Sequence, residues 1–320
     1  MNELRLPALT GDSPLGILAA LGVLRLLSDF ADDTPRLRWD RASLTPVLCS
    51  RHENIQTLVA DLRTIIDGIP EGSVLPGVGA GFPPPGAAPD RLRLPRAELS
   101  DTSVSLLAHM PEAERSEALR WLSSLVTDLP GDDKGRGAIS QSTAPSGKQS
   151  MATMLDKPLE QIRKEPDYLR QALTGWRRVP GVTGEYLDHR AMWDATEDGG
   201  GAASMRGVPG ATWLALMSYP LLRTTVSARG RPLSSGWHAV TVNGSRTYDE
   251  LRLPVWEQAL GAAGITALIE HPVLAKATER SPQVGDPVEL AALGVFHVCR
   301  ARRYQPPGAK SAGVLTTVTS

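Results

Sequence analysis

The residues with chemical potential in this chain concentrate in one stretch, TGEYLDHRAMWDATEDGGG, at positions 183–201. Glu185, Asp188, His189, Arg190, Asp194, Glu197 and Asp198 all fall within it. Carboxylates around a histidine could hold a divalent metal or act as a general acid and base. The spacing fits that chemistry poorly. A metal site on a helix wants ligands four apart, and four residues after His189 stands Trp193, which is no ligand. Asp194 and Asp198, with Glu197 between them, could hold Mg²⁺ on a helix, but GluAspGlyGlyGly reads as a turn. The HisAsp doublet of a phosphohydrolase is missing, AspHis occurs once in the reverse order, and there is no GxSxG. The simpler reading packs Tyr186, Met192 and Trp193, pairs Asp188 with His189 or Arg190, and turns the acidic tail toward a basic face. The expectation is therefore a non-enzymatic chain with no catalytic residue, metal or cofactor. The alternative is a metal-dependent hydrolase or nuclease using Asp188, His189, Asp194 and Glu197.

The basic face comes from charge placement, because the formal net charge is only −1. No acid occurs from Gly199 to Tyr248, a window that carries Arg206, Arg223, Arg229, Arg231 and Arg246. None occurs from Leu290 to the end, with Arg300, Arg302, Arg303 and Lys310. A third acid-free window, Lys134 to Leu155, holds Lys148. Such windows can form a phosphate-binding face, or acids from elsewhere in the fold can neutralise them. Lys148, Arg206, Arg223, Arg229, Arg231, Arg246, Arg302 and Arg303 are the candidate nucleic-acid contacts. Trp237 and His238 could stack on a base, although core packing suits that tryptophan better. SGKQS at 146–150 is no phosphate loop: Ser142 stands where the pattern needs glycine, and Gln149 where it needs Ser or Thr. Its Lys and hydroxyls could still touch a backbone phosphate.

The 320 residues suit one large domain or two ordinary ones, and either can bury a core. Arginine far outnumbers lysine, which bidentate phosphate recognition or a GC-rich genome would each produce. Cys49 and Cys299 are the only cysteines, so no zinc ribbon or disulfide framework is expected. The N-terminus has no secretory pattern, and the apolar run Pro14–Leu27 is too short to span a bilayer. A cytoplasmic protein without membrane contact is expected.

These residues need a scaffold. Ser13 or Asp12 can cap a helix starting at Pro14, apolar almost all round and hence buried. Arg36–Asp40 and Leu44–Cys49 read as strands, and Glu53–Asp67 as an amphipathic helix. Gly68–Pro95 is a long Pro/Gly loop pinned on the surface. A helix is expected over Glu112–Leu129. Lys134–Gln149 reads as mobile or ordered only by a ligand. A long helix over Ser150–Leu173 is interrupted or shifted near Pro158 and Pro166. Ala211–Leu222 is a further helix. Thr224–Ala228, Gly236–Val242 and Tyr248–Leu253 form a small antiparallel sheet, short helices fall at Ile265–Ile269 and Val288–Leu293, and Val295–Arg303 and Val314–Val318 are closing strands. The class is α+β, helix-rich, with short and mostly antiparallel strands. Residues 1–130 and 151–320 form two α+β domains, or one continuous one, around a polar loop at 131–150.

Several phrases carry a resemblance. LRLPALTGDSPLGILAALGVLRLLSD at the start resembles the opening of CRISPR-associated proteins of type I-G systems, formerly called I-U. LPGVGAGFPPPGAAPDRLRLPR, APSGKQSMATML, TGWRRVPGVTGEYLDHRA and the late block ARGR…WHAV…LRLPVW are similar to a short family from those loci. That family is described as an extension of the helicase-nuclease, found as a separate chain or an appended domain. The opening motif is also similar to the large subunit of the same subtype's surveillance complex. The resemblance implies antiviral defence and partnership with effector subunits or the helicase-nuclease. In such systems guide pairing reads the sequence, while protein subunits read a short flanking motif and hold backbone. The family supplies no catalytic residues to carry over. This chain lacks the helicase phosphate loop and the HisAsp nuclease doublet, so any DNA cutting would belong to a partner.

Overall fold

Helix α1 (Pro14–Phe30) explains the arrangement of the rest. Ser13 caps it, its hydroxyl accepting from the Gly16 N–H at 3.3 Å, and Pro14 fills the first turn. Every residue from Pro14 to Leu27 is buried. A helix apolar on all sides must be surrounded, and α1 packs against helices and strands from both halves of the chain. Its closest neighbour is the equally buried α7 (Pro209–Met217). The two backbones touch at Gly22, where a Cβ would stand 1.7 Å from the Leu214 carbonyl oxygen. The structure is a computed structural model and describes all residues except 32, 84–92, 132–133, 145–148, 192–204, 243–245, 277–283, 306–312 and 319–320.

The one cation inside α1, Arg25, is fully buried. It pairs with Glu117 and Asp29, donates to the Met217 carbonyl at 3.0 Å, and lies over Trp121 and Phe30. Burial still pushes its pKa down to about 9, against the pull of Asp29. The network joins α1, α4 (Glu112–Leu125) and α7.

The protein is α+β. β1 (Asn2–Arg5), β3 (Pro46–Ser50) and β2 (Arg36–Trp39) form an antiparallel sheet in that order. The second sheet, also antiparallel, runs β10 (Trp237–Val242), β11 (Arg246–Trp256), β12 (Val295–Tyr304), β13 (Val314–Thr317). Trp256 joins the two sheets. Its indole N–H donates to the Leu37 carbonyl at 2.8 Å, and its ring meets Trp39 edge-on at 6.1 Å. One apolar core runs from Leu6 to Leu315 and draws on both 1–130 and 151–320. A small second cluster, Val273, Leu274 and Val284, covers the outer side of the four-stranded sheet.

Around this core lie α2 (Ile55–Asp67), α3 (Arg96–His109), α5 (Met151–Lys164), α6 (Asp167–Thr174), α8 (Ala262–Ile269) and α9 (Pro287–Ala292). Three two-stranded ribbons complete it: β4 (Val126–Gly131) with β5 (Gly137–Ile139), β6 (Val179–Pro180) with β7 (Arg206–Gly207), and β8 (Thr224–Val226) with β9 (Pro232–Ser234).

Several expectations change, among them the surface loop at 68–95, where Ser73, Leu75, Val78 and Phe82 are buried. The helix expected over Glu112–Leu129 ends at Leu125, because Val126 and Thr127 turn into β4 and Pro130 forbids continuation. The expected break at Pro158 does not occur. Pro158 lies inside α5, buried, while the interruption expected near Pro166 is found, between α5 and α6 at Glu165–Pro166. Most of Lys134–Gln149 is not mobile: Gly137–Ile139 is a strand, and Ser140, Ser142, Thr143 and Ala144 are buried. Among the described residues no helix is long and apolar enough to cross a membrane.

Candidate nucleic-acid interface

The segment SerGlnSerThr at 140–143 is held by hydrogen bonds from several elements. The Ser140 and Ser234 hydroxyls lie 2.8 Å apart, and the Ser234 N–H donates to the Gln141 side-chain oxygen at 2.9 Å. The Ser142 hydroxyl accepts the Trp237 indole N–H at 3.0 Å. Its carbonyl accepts from the Tyr219 hydroxyl at 2.8 Å and from Arg303 at 2.9 Å. Short polar side chains suit this place because each saturates a buried donor or acceptor. Ser142, where a phosphate loop would need glycine, is thus a structural anchor.

This segment and the end of the four-stranded sheet enclose a cleft of about 790 Å³. Trp237, Asp249 and Arg303 line it from the sheet, and Tyr248, Arg302 and Tyr304 reach it as well. Trp237 is only 3% exposed and packs as core, so it forms wall and not a free stacking platform. Arg303 lies over the Trp237 ring, 5.8 Å from its centroid, and donates to the carbonyls of Gln141, Ser142 and Gly313. Burial pushes its pKa down to about 10. It braces the cleft floor. Arg302, Tyr304 and Gln305 are the exposed residues among those lining it. Tyr304 is 48% exposed, and the exposed Arg302 places its guanidinium 5.8 Å from the centroid of the Tyr248 ring.

The other candidate arginines are dispersed. Arg223 forms a forked pair with Glu270, and Arg231 pairs with Asp249 at 3.3 Å. Arg206 is half-buried in β7, and its carbonyl accepts from Arg178 at 3.1 Å. Arg229 is exposed in the turn between β8 and β9. Arg246 opens β11, and its side chain lies outside those described; Lys148 lies outside the described residues. Glu250, fully buried, binds Arg252 at 2.8 Å and Arg300 at 2.9 Å. Burial pushes the Glu250 carboxyl up, yet the bonds from Arg300 and Arg252 outweigh it and hold the pKa below its usual value. Asp249 and Glu250, just past a window edge, thus pair with Arg231 and Arg300, and Glu270 pairs with Arg223.

His238 lies opposite Glu250 in the β10–β11 register. Burial, then the Arg252 charge, lowers its pKa to about 4 against the pull of Glu250. It is neutral at physiological pH and belongs to the packing of the outer sheet face.

The TGEYLDHR stretch has a different construction. Gly184, Glu185 and Tyr186 follow one another with φ of 62°, 48° and 59°. Left-handed conformation at two residues bearing side chains is strained and must be held by surrounding bonds. Glu185 is 5% exposed and accepts from the Gln149 amide at 2.6 Å and from the Thr183 hydroxyl at 3.3 Å. Burial raises its pKa, with Gln149, Lys157 and Thr183 opposing. Asp188 pairs with Arg178 at 2.7 Å and accepts from the Arg190 N–H at 3.0 Å. Its pairing partner is thus Arg178, which the local reading did not consider. His189 lines a separate pocket of about 410 Å³ with Asp188, Asp12 and Trp176 at the start of α1. Asp194 and Glu197 lie outside the described residues. Among the described residues no group of three His, Cys, Asp or Glu is placed to hold a metal.

Sequence reading named Arg302 and Arg303 but not Tyr304, Tyr248 or the 140–143 wall. A signal for Tyr304 was present: Arg302 and Tyr304 are two apart on a strand and share a face. Nothing local marks Tyr248 as a partner of Arg302. Comparison of the chain with protein-family models finds no match, and comparison with curated proteins finds none either.

Proposed function

We propose that this chain is a non-enzymatic subunit or accessory of a type I-G CRISPR antiviral effector, contacting nucleic acid, the helicase-nuclease partner, or both. The observation that supports the nucleic-acid part is the cleft at the end of the four-stranded sheet. An exposed tyrosine and a ring-stacked arginine at the rim of the cleft, on the face of β12 opposite Arg303 and the hydroxyl-rich wall, are groups of the kind that hold bases and backbone. One of the phrases behind the family resemblance, the late block, falls near this region. WHAV belongs to β10, LRLPVW to β11, and ARGR to the turn between β8 and β9. In an effector whose guide supplies sequence recognition, such a cleft needs no base code of its own.

Co-purification from cells expressing the whole locus, with and without nuclease treatment, tests this reading. Effector subunits should accompany the chain. Their loss on nuclease treatment means a nucleic-acid bridge, and their retention means a protein contact, as an adaptor would make. If no effector subunit accompanies the chain in either condition, the reading fails. Metal-dependent hydrolysis that disappears in a folded His189→Ala variant would replace it with the hydrolase.

A further inference from the structure

We infer that the cleft takes single-stranded nucleic acid in preference to duplex, with Tyr304 as a base-stacking platform; this rests on the nucleic-acid reading above. The first support is the balance of aromatic surface against charge. Duplex affinity comes chiefly from phosphate neutralisation, with each neutralised phosphate releasing counterions. Few cations here are disposable for that. Arg231 is held by Asp249, Arg300 by Glu250, and Arg303 by three backbone carbonyls. Among the described residues lining the cleft, Arg302 is the cation with neither an ion pair nor a buried guanidinium.

The second support is what an exposed ring can do. Tyr304 stands at the end of β12 with 48% of its surface open. Two residues earlier on the same face, Arg302 lies over Tyr248. Ring, guanidinium and ring make a short series of flat surfaces. Unpaired bases stack on such surfaces regardless of identity, whereas bases inside a duplex are already stacked on one another. A volume of about 790 Å³ is in the range of sites for a small organic ligand, room for roughly one or two nucleotides. The floor is braced because Tyr219, Trp237 and Arg303 all bond to Ser142.

Fluorescence anisotropy on the full chain tests this with a labelled mixed-sequence DNA oligonucleotide and the duplex made by annealing its complement. The single strand should bind more tightly than the duplex. Tyr304→Ala should weaken single-strand binding by about tenfold or more, and Tyr304→Phe, which keeps the ring, should change it little. Arg302→Ala should weaken it too and remove about 0.7 from the log–log salt slope. Unchanged thermal midpoints confirm that each variant is folded, as expected for exposed positions. Duplex bound as tightly as single strand, with Tyr304→Ala without effect, overturns the inference and leaves the nucleic-acid reading standing. Binding of neither DNA removes both.

Discussion

His238 shows how one residue couples to the solvent. It is packed beside Arg252 and Glu250, and its folded pKa of about 4 lies below the ordinary value of 6.5. A depressed histidine contributes stability that is complete above about 6.5 and is lost as pH falls through the folded value. The unfolded chain binds the proton first, so protonation favours unfolding. Between pH 6.5 and 4 the wild type should lose about 1–3 kcal/mol more than a His238→Gln variant, read from urea midpoints across that range. Parallel pH profiles would show that the imidazole is solvated. Glu185 has the opposite sign. Its raised pKa means that the wild type is penalised as pH rises above 4.5, a slope that Glu185→Gln should remove.

At the scale of elements, α1 and α7 are the joint on which the two halves meet. Leu21 is fully buried at the centre of α1. Leu21→Asp places an unpaired carboxylate in apolar surroundings and should abolish soluble expression. Soluble, cooperatively folding Leu21→Asp protein would mean that the helix is exposed in the free chain as a partner-binding element. Gly22 tests a narrower claim. With its absent Cβ facing the Leu214 carbonyl at 1.7 Å, even alanine forces the helices apart. Gly22→Ala should destabilise by about 3 kcal/mol, although alanine is the better helix former. An unchanged unfolding midpoint would show that α1 and α7 do not meet backbone to backbone.

At the scale of the whole molecule, folding redistributes charge that looks segregated along the chain. Glu270 meets Arg223 across 47 residues, and Asp249 meets Arg231 across 18. The basic windows are therefore only partly basic in space. Two arginines in the β8–β9 turn region, Arg229 and Arg231, would remove up to about 1.8 from a duplex salt slope if both faced phosphate. With Arg231 held by Asp249, the double change of both to Ala should lower it by about 0.9 or less. A fall near 2 would show that Arg231 leaves Asp249 on binding.

What the sequence determined by itself is what neighbouring residues decide. The buried α1 follows from its unbroken apolar run and Ser13–Pro14 cap, and α2 from an apolar stripe at helical spacing. The α+β class with antiparallel strands follows from short β-branched runs separated by glycine turns. β1, α3 and β9 went unread because they carry weak or short local patterns; the apolar stripe of α3 leaves only Leu99 buried. Tertiary structure alone decided the partners. Ser142 with Tyr219, Asp188 with Arg178, and Tyr248 under Arg302 are encounters between groups 77, 10 and 54 positions apart, outside any local window. The polar 140–143 stretch reads as loop because its composition is a loop's. It is rigid because hydroxyls saturate buried donors that the sequence places elsewhere. Hydrophobic periodicity is a property of one element, whereas charge neutralisation and hydrogen-bond saturation are properties of pairs, and only the fold brings the pairs together.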